Sequence, residues 1–397
     1  MEGSFTIKLL ILCISLFFFN IKAQDNCRTS FNQHLPCVTV DRCPSLMTIL
    51  RGPKPISESN LTTLRSYHCG FDEETLKIPK VCCPSSSRIE TSIKTSKIPD
   101  ETTETIIVEK TPPPPDVTSN PNLRLLNQDI CGPLTEPKIF GGNETGVLDF
   151  PWMALIAYDI KGVKEFRCSG TVINKRYILT AAHCVTSLSP DVILSGVRVG
   201  EHDYTTERDC DVDADGLEIV CAEKYQDFGI ESFQFHVGYT KSKLHNDIAL
   251  IRVDGDIDFN PINVKPICLP IGTATTLRTR KVTVTGWGAT ELNSINSNKL
   301  LMVNLSPVSN EECAKVFKGI KPIWYKQLCA GGESGKDSCA GDSGGPLQAP
   351  AIYNHSPRFV QYGIVSYGTR YCGTRGYPGV YTRVSYFIDW ILSHITD

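Results

Sequence analysis

Apolar residues are distributed along the chain in three distinct ways. Near the start, Leu9 to Phe19 form a nearly continuous apolar run behind Lys8, and the character changes abruptly at Gln24. Such a run fits the hydrophobic region of a signal peptide and is too short to span a bilayer. Ala23 is the expected last residue before cleavage, although Ile21 upstream is not the small residue usually preferred. A buried core helix is the alternative reading of the run. Between residues 84 and 130, Ser, Thr, Lys and Glu dominate, and Pro112 to Pro115 form a run. Such a stretch buries too little apolar surface to fold, and its prolines extend it, so it reads as a linker. A binding role for the proline run is the alternative. From Ile139 onward, short apolar runs recur with turn residues between them. Trp152 to Tyr158, Gly170 to Thr180, Ile248 to Val253, Lys281 to Trp287 and Phe359 to Tyr367 read as strands. Helical patterns are scarce. Ser309 with Glu312 resembles a capping box, and Tyr386 to His394 carries Phe387, Ile388, Ile391 and Leu392 on one side. Many short strands without an internal repeat predict an all-β domain of sandwich or barrel type.

Charge changes the picture little. The formal net charge is −3 over 397 residues, with no basic block or acidic tail. That argues against nucleic acid and anionic membranes as partners, and no other apolar stretch is long enough to be a membrane span. Cysteine changes it more. Of 17 cysteines, Cys13 would leave with the signal peptide, and an even number in a secreted chain implies disulfides. Cys27, Cys37, Cys43, Cys69, Cys82 and Cys83 crowd a small segment with few large apolar residues, which needs covalent staples. Spacing alone does not choose their pairing. Asn60, Asn143, Asn304 and Asn354 begin N-x-S/T sequons, the last two weakened by a Pro after the Ser.

Three segments carry chemistry together: Thr180-Ala181-Ala182-His183-Cys184, Asn246-Asp247-Ile248-Ala249-Leu250 and Gly341-Asp342-Ser343-Gly344-Gly345-Pro346. A serine hydroxyl is a weak nucleophile at neutral pH. It needs a base to take its proton, and the base needs a carboxylate to fix its tautomer. His183, Asp247 and Ser343 supply this set. Each alone is weak evidence: a lone histidine is usually structural, and Asp247 could cap a strand. The serine also satisfies the nucleophile elbow of α/β-hydrolases. That elbow needs a helix after the serine and a histidine last in the chain. Here Pro346 follows almost at once and His183 comes first, so the elbow reading fails.

From Ile139 to Asp397 the chain resembles the chymotrypsin/trypsin family. The motifs that carry the resemblance are Ile139-Phe140-Gly141-Gly142, Thr180 to Cys184, Asp247 to Leu250, Gly286-Trp287-Gly288, Gly341 to Pro346 and Ser366-Tyr367-Gly368. The resemblance implies two six-stranded antiparallel β-barrels with a C-terminal helix and the active site in the cleft between them. It implies an oxyanion hole of the Gly341 and Ser343 backbone N–H groups. It places Asp337 at the floor of a specificity pocket, with Ser338 beside it, Gly368 and Gly379 as its walls, and Ser366 among the substrate-binding residues. An unpaired buried carboxylate is unfavourable until a cation joins it, hence an expected preference for Arg or Lys at the cleaved bond. A solvated loop acid is the bland reading of Asp337. The resemblance also implies a zymogen cut at Lys138-Ile139, after which the Ile139 ammonium pairs with Asp342. No catalytic cofactor is required.

The same resemblance implies the pairs Cys168–Cys184, Cys313–Cys329 and Cys339–Cys372. Cys210 and Cys221 remain in a short insert and are expected to pair, leaving Cys131 for Cys268. The N-terminal cysteines resemble a clip domain, whose pattern would pair Cys27 with Cys82, Cys37 with Cys69, and Cys43 with Cys83. The whole arrangement is a clip domain over residues 27–83, a linker, an activation segment over 131–138 and a trypsin-like domain over 139–397. It resembles the arthropod clip-domain proteases of melanization and Toll cascades. This implies a secreted enzyme acting on a protein zymogen or precursor, switched on by an upstream trypsin-like protease, with a serpin inhibitor and a clip-domain cofactor as further partners. The loop from Glu201 to Asp209 resembles a calcium loop, with Glu201, Asp203 and Asp209 as carboxylate donors and the Thr206 carbonyl as a fourth. A solvated acidic loop is the alternative. Pro378 stands where sodium-binding relatives carry an aromatic residue, which argues against a sodium site. The rival from another class is a non-catalytic clip-domain cofactor, but such proteins usually lack the serine. A digestive enzyme would have no use for a tethered module.

Overall fold

The computed structural model describes residues 26–28, 34–40, 43, 46, 68–71, 79–83, 111–134, 145–289, 296–333, 338–339, 341–369 and 372–397. The expected signal peptide, the Lys138-Ile139 bond, Asn60, Asn143 and Asp337 lie outside these residues. The chain divides into two units, residues 1–106 and 107–397.

In the first unit, four strands, β1 (Asn26–Arg28), β2 (His34–Thr39), β3 (His68–Phe71) and β4 (Pro79–Cys82), form one sheet in the order β1-β2-β4-β3. Its small core is Cys43, Leu46, Val81 and Cys83, held by the Cys43–Cys83 disulfide. Cys37 and Cys82, opposite each other in the β2–β4 register, are also disulfide-bonded. The side chains of Cys27 and Cys69, their expected partners, lie outside the described residues.

The second unit is built on two antiparallel sheets. The first contains β5 (Met153–Ile160), β6 (Val163–Val172), β7 (Tyr177–Thr180), β8 (Val192–Val199), β11 (Gln226–Phe228), β12 (Ile230–Phe235) and β13 (Ala249–Val253). Their order is β11-β8-β5-β6-β7-β13-β12, and the sheet curls until β12 approaches β8. A hairpin, β9 (Cys210–Val212) with β10 (Glu218–Cys221), is inserted between β8 and β11 and closed by the Cys210–Cys221 disulfide. The second sheet contains β14 (Val282–Gly286), β15 (Leu301–Leu305), β16 (Pro307–Val308), β17 (Gln327–Gly331), β18 (Pro346–Tyr353), β19 (Ser356–Tyr367) and β20 (Pro378–Arg383), in the order β15-β14-β18-β19-β20-β17-β16. Each sheet thus holds one strand more than the six expected, because the brief β11 and β16 count separately.

The apolar runs become these strands, with one change. Gly170 to Thr180 splits into β6 and β7, because Asn174 accepts hydrogen bonds from the backbone N–H groups of Arg176 and Tyr177 and turns the chain. One core fills the first sheet and extends to the C-terminal helix, and a second fills the other sheet. Buried polar groups connect them. Trp152 Nε1 donates to Gln348 Oε1 at 2.7 Å, and Thr171 Oγ1 to Gln361 Oε1 at 2.6 Å.

Among the described residues, three short α-helices complete the unit: α1 (Ala182–Val185), α2 (Asn310–Val316) and α3 (Ile388–His394). Ser309 caps α2 by accepting the Glu312 N–H at 3.1 Å, as its motif predicts. The expected linker ends earlier than residue 130. From residue 111 the chain lies on the second unit, with Val117 and Leu126 in the main core. Arg124 makes a bidentate ion pair with Asp397, and Asn122 donates to the Leu392 carbonyl. The apolar residues Val117, Leu123, Leu125 and Leu126 are what the polar average of the segment conceals.

Candidate active site

Asp247 sits just before β13 and is fully buried. The preceding Asn246 takes a left-handed φ of 53°, which asparagine tolerates better than most side chains. Its Nδ2 donates to the Gly238 carbonyl at 2.7 Å. A buried carboxylate needs donors on its lone pairs, and Asp247 has three. Oδ1 accepts the backbone N–H of His183 at 2.9 Å, and Oδ2 accepts His183 Nδ1 at 2.8 Å and the Ser366 hydroxyl at 2.5 Å. Thr382 Oγ1 donates to the Asp247 carbonyl at 2.7 Å, tying the first sheet to β20 of the second.

His183 lies on the single turn α1, which follows β7 directly. The turn is braced by the Cys168–Cys184 disulfide and by the buried Tyr158 hydroxyl, which donates to the Cys184 carbonyl at 2.8 Å. The His183 side chain is 26% exposed, so one edge of the ring faces solvent. With Nδ1 donating to Asp247, the neutral ring keeps a lone pair on Nε2. Burial works against the imidazolium, but the Asp247 charge and hydrogen bond outweigh it. The His183 pKa is therefore raised above its ordinary value. Such a ring takes up a proton readily and stabilises the cation that results.

Ser343 lies in the loop before β18. Its carbonyl accepts the Ser169 N–H from β6 at 2.8 Å, which ties this loop of the second half to the first sheet. Gly344 makes that approach feasible. It has φ +79°, and a Cβ there would lie 2.1 Å from Thr180 Oγ1 and 2.4 Å from the Ser169 carbonyl. Among the described residues, the backbone N–H groups of Gly341 and Ser343 have no acceptor. Two free donors beside a hydroxyl suit an oxygen that gains negative charge.

Asp342 points the other way, into the protein. Its carboxylate accepts the N–H groups of Gly288 and Cys339, both at 2.8 Å. A Cβ at Gly286 or Gly288 would lie 2.2 or 2.5 Å from it, so glycine is what lets the carboxylate in. Burial pushes its pKa up to about 6 against those two donors. No cation pairs with it among the described residues.

Of the expected pocket residues, Ser338 Oγ lies 3.2 Å from the Tyr381 hydroxyl, Gly379 is buried on β20, and Gly368 is exposed just past β19. Ser366 is buried at the end of β19, with its hydroxyl donating to Asp247. Disulfides join Cys131–Cys268, Cys313–Cys329 and Cys339–Cys372. In the loop from Glu201 to Asp209, the Glu201 side chain is almost wholly buried and pairs with Arg198 at 3.0 Å. Burial pushes its pKa up to about 7, and the nearby Asp209 carboxylate adds to the rise. Both Glu201 oxygens accept hydrogen bonds, one from the His202 N–H and one from Arg198. Asp203 is turned into its own loop, accepting from the N–H and hydroxyl of Thr205, while the Thr206 hydroxyl bonds Asp209.

Comparison with known proteins decides the identity. Residues 139–391 match the trypsin family model, and residues 27–83 match the regulatory CLIP domain of proteinases. The chain belongs to the trypsin family. It is 37% identical to the CLIP domain-containing serine protease HP8 of Bombyx mori, covering 97% of each chain. It is 35% identical to melanization protease 1 of Drosophila melanogaster, covering 93% of this chain and 92% of that one. The crystal structure of the Drosophila Grass clip serine protease of the Toll pathway superposes with a TM-score of 0.61. That comparison has 32% identity and covers 94% of this chain and 97% of the other. The protein is accordingly a trypsin-like serine endopeptidase with an N-terminal CLIP domain. In this CLIP-domain protease, sequence reading missed the support of Asp247 by Ser366 and Thr382. Ser366 stood inside a quoted motif, but nothing in the motif says where its hydroxyl points. No helix among the described residues is long and apolar enough to cross a membrane.

Proposed function

We propose that the protein is a secreted zymogen whose triad of His183, Asp247 and Ser343 cleaves protein substrates after Arg or Lys. The observation that carries this reading is the His183–Asp247 pair, with both carboxylate oxygens bonded to His183 and Ser366 behind it. His183 Nε2 takes the Ser343 proton as Oγ attacks the scissile carbonyl. Asp247 holds the ring and stabilises the imidazolium, and the N–H groups of Gly341 and Ser343 hold the oxyanion. His183 then gives the proton to the leaving amine. Asp337 selects the cationic side chain, helped by Ser338, in a slot kept open by Gly368 and Gly379.

Cleavage between Lys138 and Ile139 switches the enzyme on. Before the cut, the partners of the Asp342 carboxylate among the described residues are backbone N–H groups, and burial works against its charge. The new Ile139 ammonium would supply the missing cation and reorganise the adjoining Gly341–Ser343 loop. Lys138 calls for an activator of trypsin-like specificity. The similarity to a melanization protease and to the Spaetzle-processing enzyme of Drosophila supports a role in an extracellular immune cascade acting on a zymogen or precursor. A serpin and a clip-domain cofactor complete the expected partners. Calcium held by Glu201 and Asp209 would relieve the crowding of their carboxylates and stiffen the loop.

Peptide profiling of the activated enzyme tests the reading. Arg and Lys peptides should be cut and Phe or Leu peptides left, and Asp337→Ser should abolish the preference. Strong Arg selection in that variant would place the pocket floor elsewhere. Lys138→Gln should stay inactive with trypsin-like activators. Full activity there without a new N-terminus at Ile139 would contradict the switch.

A further inference from the structure

Two loops flank the Asp247–His183 pair. Residues 236–246 run directly into Asp247, and residues 317–326 connect α2 to β17. Together they carry Lys241, Lys243, Lys318, Lys321 and Lys326, and neither holds an aspartate or glutamate, in a chain with a net charge of −3. The loops are pinned to each other. The His245 ring stacks on Trp324 with centroids 5.0 Å apart, and Gln327 Nε2 donates to the Leu244 carbonyl at 3.4 Å. Lys321 Nζ lies 4.6 Å from the centroid of the Tyr367 ring. Tyr367 stands between Ser366, bonded to Asp247, and Gly368. Among the described residues none of the five lysines makes an ion pair, whereas the ion-paired lysines elsewhere are Lys161, Lys164 and Lys175.

Beside this rim the sheet leaves an edge open. β18 pairs with β19 no further along than Pro346 opposite Ile364, so Ser366, Tyr367 and Gly368 are free of it. An extended peptide can add to such an edge as an antiparallel strand. With its cleaved residue beside Ser366, its preceding residues pass Tyr367 and Gly368, under Lys321.

We propose that this lysine rim selects acidic side chains in the substrate residues just before the scissile bond, with Lys321 as the specificity-determining contact. The inference rests on the trypsin-like reading and adds the charge of the substrate to it. A half-buried ammonium without a counter-ion is costly, and a substrate carboxylate offsets that cost. Consistent with this, burial draws the Lys321 pKa below its ordinary value, while the Asp247 charge opposes it. The neighbouring lysines steer an acidic segment towards the cleft and repel a basic one.

The test is a matched set of fluorogenic peptides ending in Arg, cut by the full-length enzyme activated at Lys138. The second, third and fourth residues before the cleaved bond are varied singly between Glu, Gln and Lys. The ratio of kcat/KM for Glu over Gln at the best position should be about fivefold at low salt. It should shrink in high salt, fall to near one in Lys321→Gln and invert towards Lys peptides in Lys321→Glu. Because each ratio is read within one preparation, a partly folded variant does not distort it. Equal rates for Glu and Gln peptides, or a full preference retained in Lys321→Gln, would overturn the inference while Arg cleavage itself stands. Failure to cut any of the Arg peptides would overturn the reading beneath it.

Discussion

The Ser366 hydroxyl is one of three donors on a fully buried carboxylate. A hydrogen bond to a charged group contributes about 1.5–3 kcal/mol. Ser366→Ala should therefore lower kcat roughly tenfold or more, with a small change in KM, because the loss falls on the positioning of His183. Burst titration with an active-site reagent would separate this from loss of folded enzyme. His183 carries a pH signature. Only the neutral ring accepts the serine proton, so kcat/KM should rise with pH through a midpoint above the ordinary histidine value, since the Asp247 charge outweighs burial. In Asp247→Asn the balance reverses and burial dominates, so the midpoint should move down. A pH–rate profile of both proteins checks the sign. Asp342 makes a different prediction. Its pKa in the folded chain is about 6, against an ordinary 3.8. The folded state thus binds a proton more tightly than the unfolded state, and stability rises as pH falls from about 6 towards 4. At neutral pH the ionised group costs the uncut chain about 3 kcal/mol at most. Asp342→Asn should lift that cost and flatten the pH dependence seen in denaturant melts. It should also leave the protein unable to activate after cleavage. The triad types and Asp342 were legible as motifs. The bond from Ser366 to Asp247 was not legible, because a motif fixes residue order, and the direction of the hydroxyl depends on how β19 lies against Asp247.

Elements were legible where local chemistry decides them. The cap Ser309, the apolar side of α3 and the apolar runs of β5 and β19 all belong to short stretches of chain. The split of β6 from β7 rests on one asparagine, and a run of apolar residues hides it. The docking of residues 111–134 was not legible, because four apolar residues are diluted by a polar segment and their partner surface is remote in sequence. Leu126 is buried in the main core, so Leu126→Ala should destabilise the second unit by about 2–5 kcal/mol in urea melts. A shift near zero would mean the segment adds nothing to that core. The loop of residues 201–209 gives the calcium proposal a pH-dependent form. A cation competes with the proton that Glu201 binds with a pKa of about 7. Millimolar calcium should raise Tm relative to chelator at pH 8, and less so at pH 6. No shift at either pH would count against the site.

For the whole molecule, the bridge between Cys131 and Cys268 is the consequential connection. It spans the proposed cut, so the CLIP-bearing segment stays attached to the catalytic half after activation. On gels the activated protein should run as one species without reductant and two with it. The central claim is that a latent trypsin-like triad centred on Ser343 becomes competent when the chain is cut after Lys138. The most direct measurement is organophosphate labelling before and after that cut, with the adduct located by peptide mapping. The account predicts little labelling of the intact chain, stoichiometric labelling of Ser343 after the cut, and neither label nor turnover in Ser343→Ala. Substantial peptidase activity in Ser343→Ala, or an adduct on another residue, would contradict it.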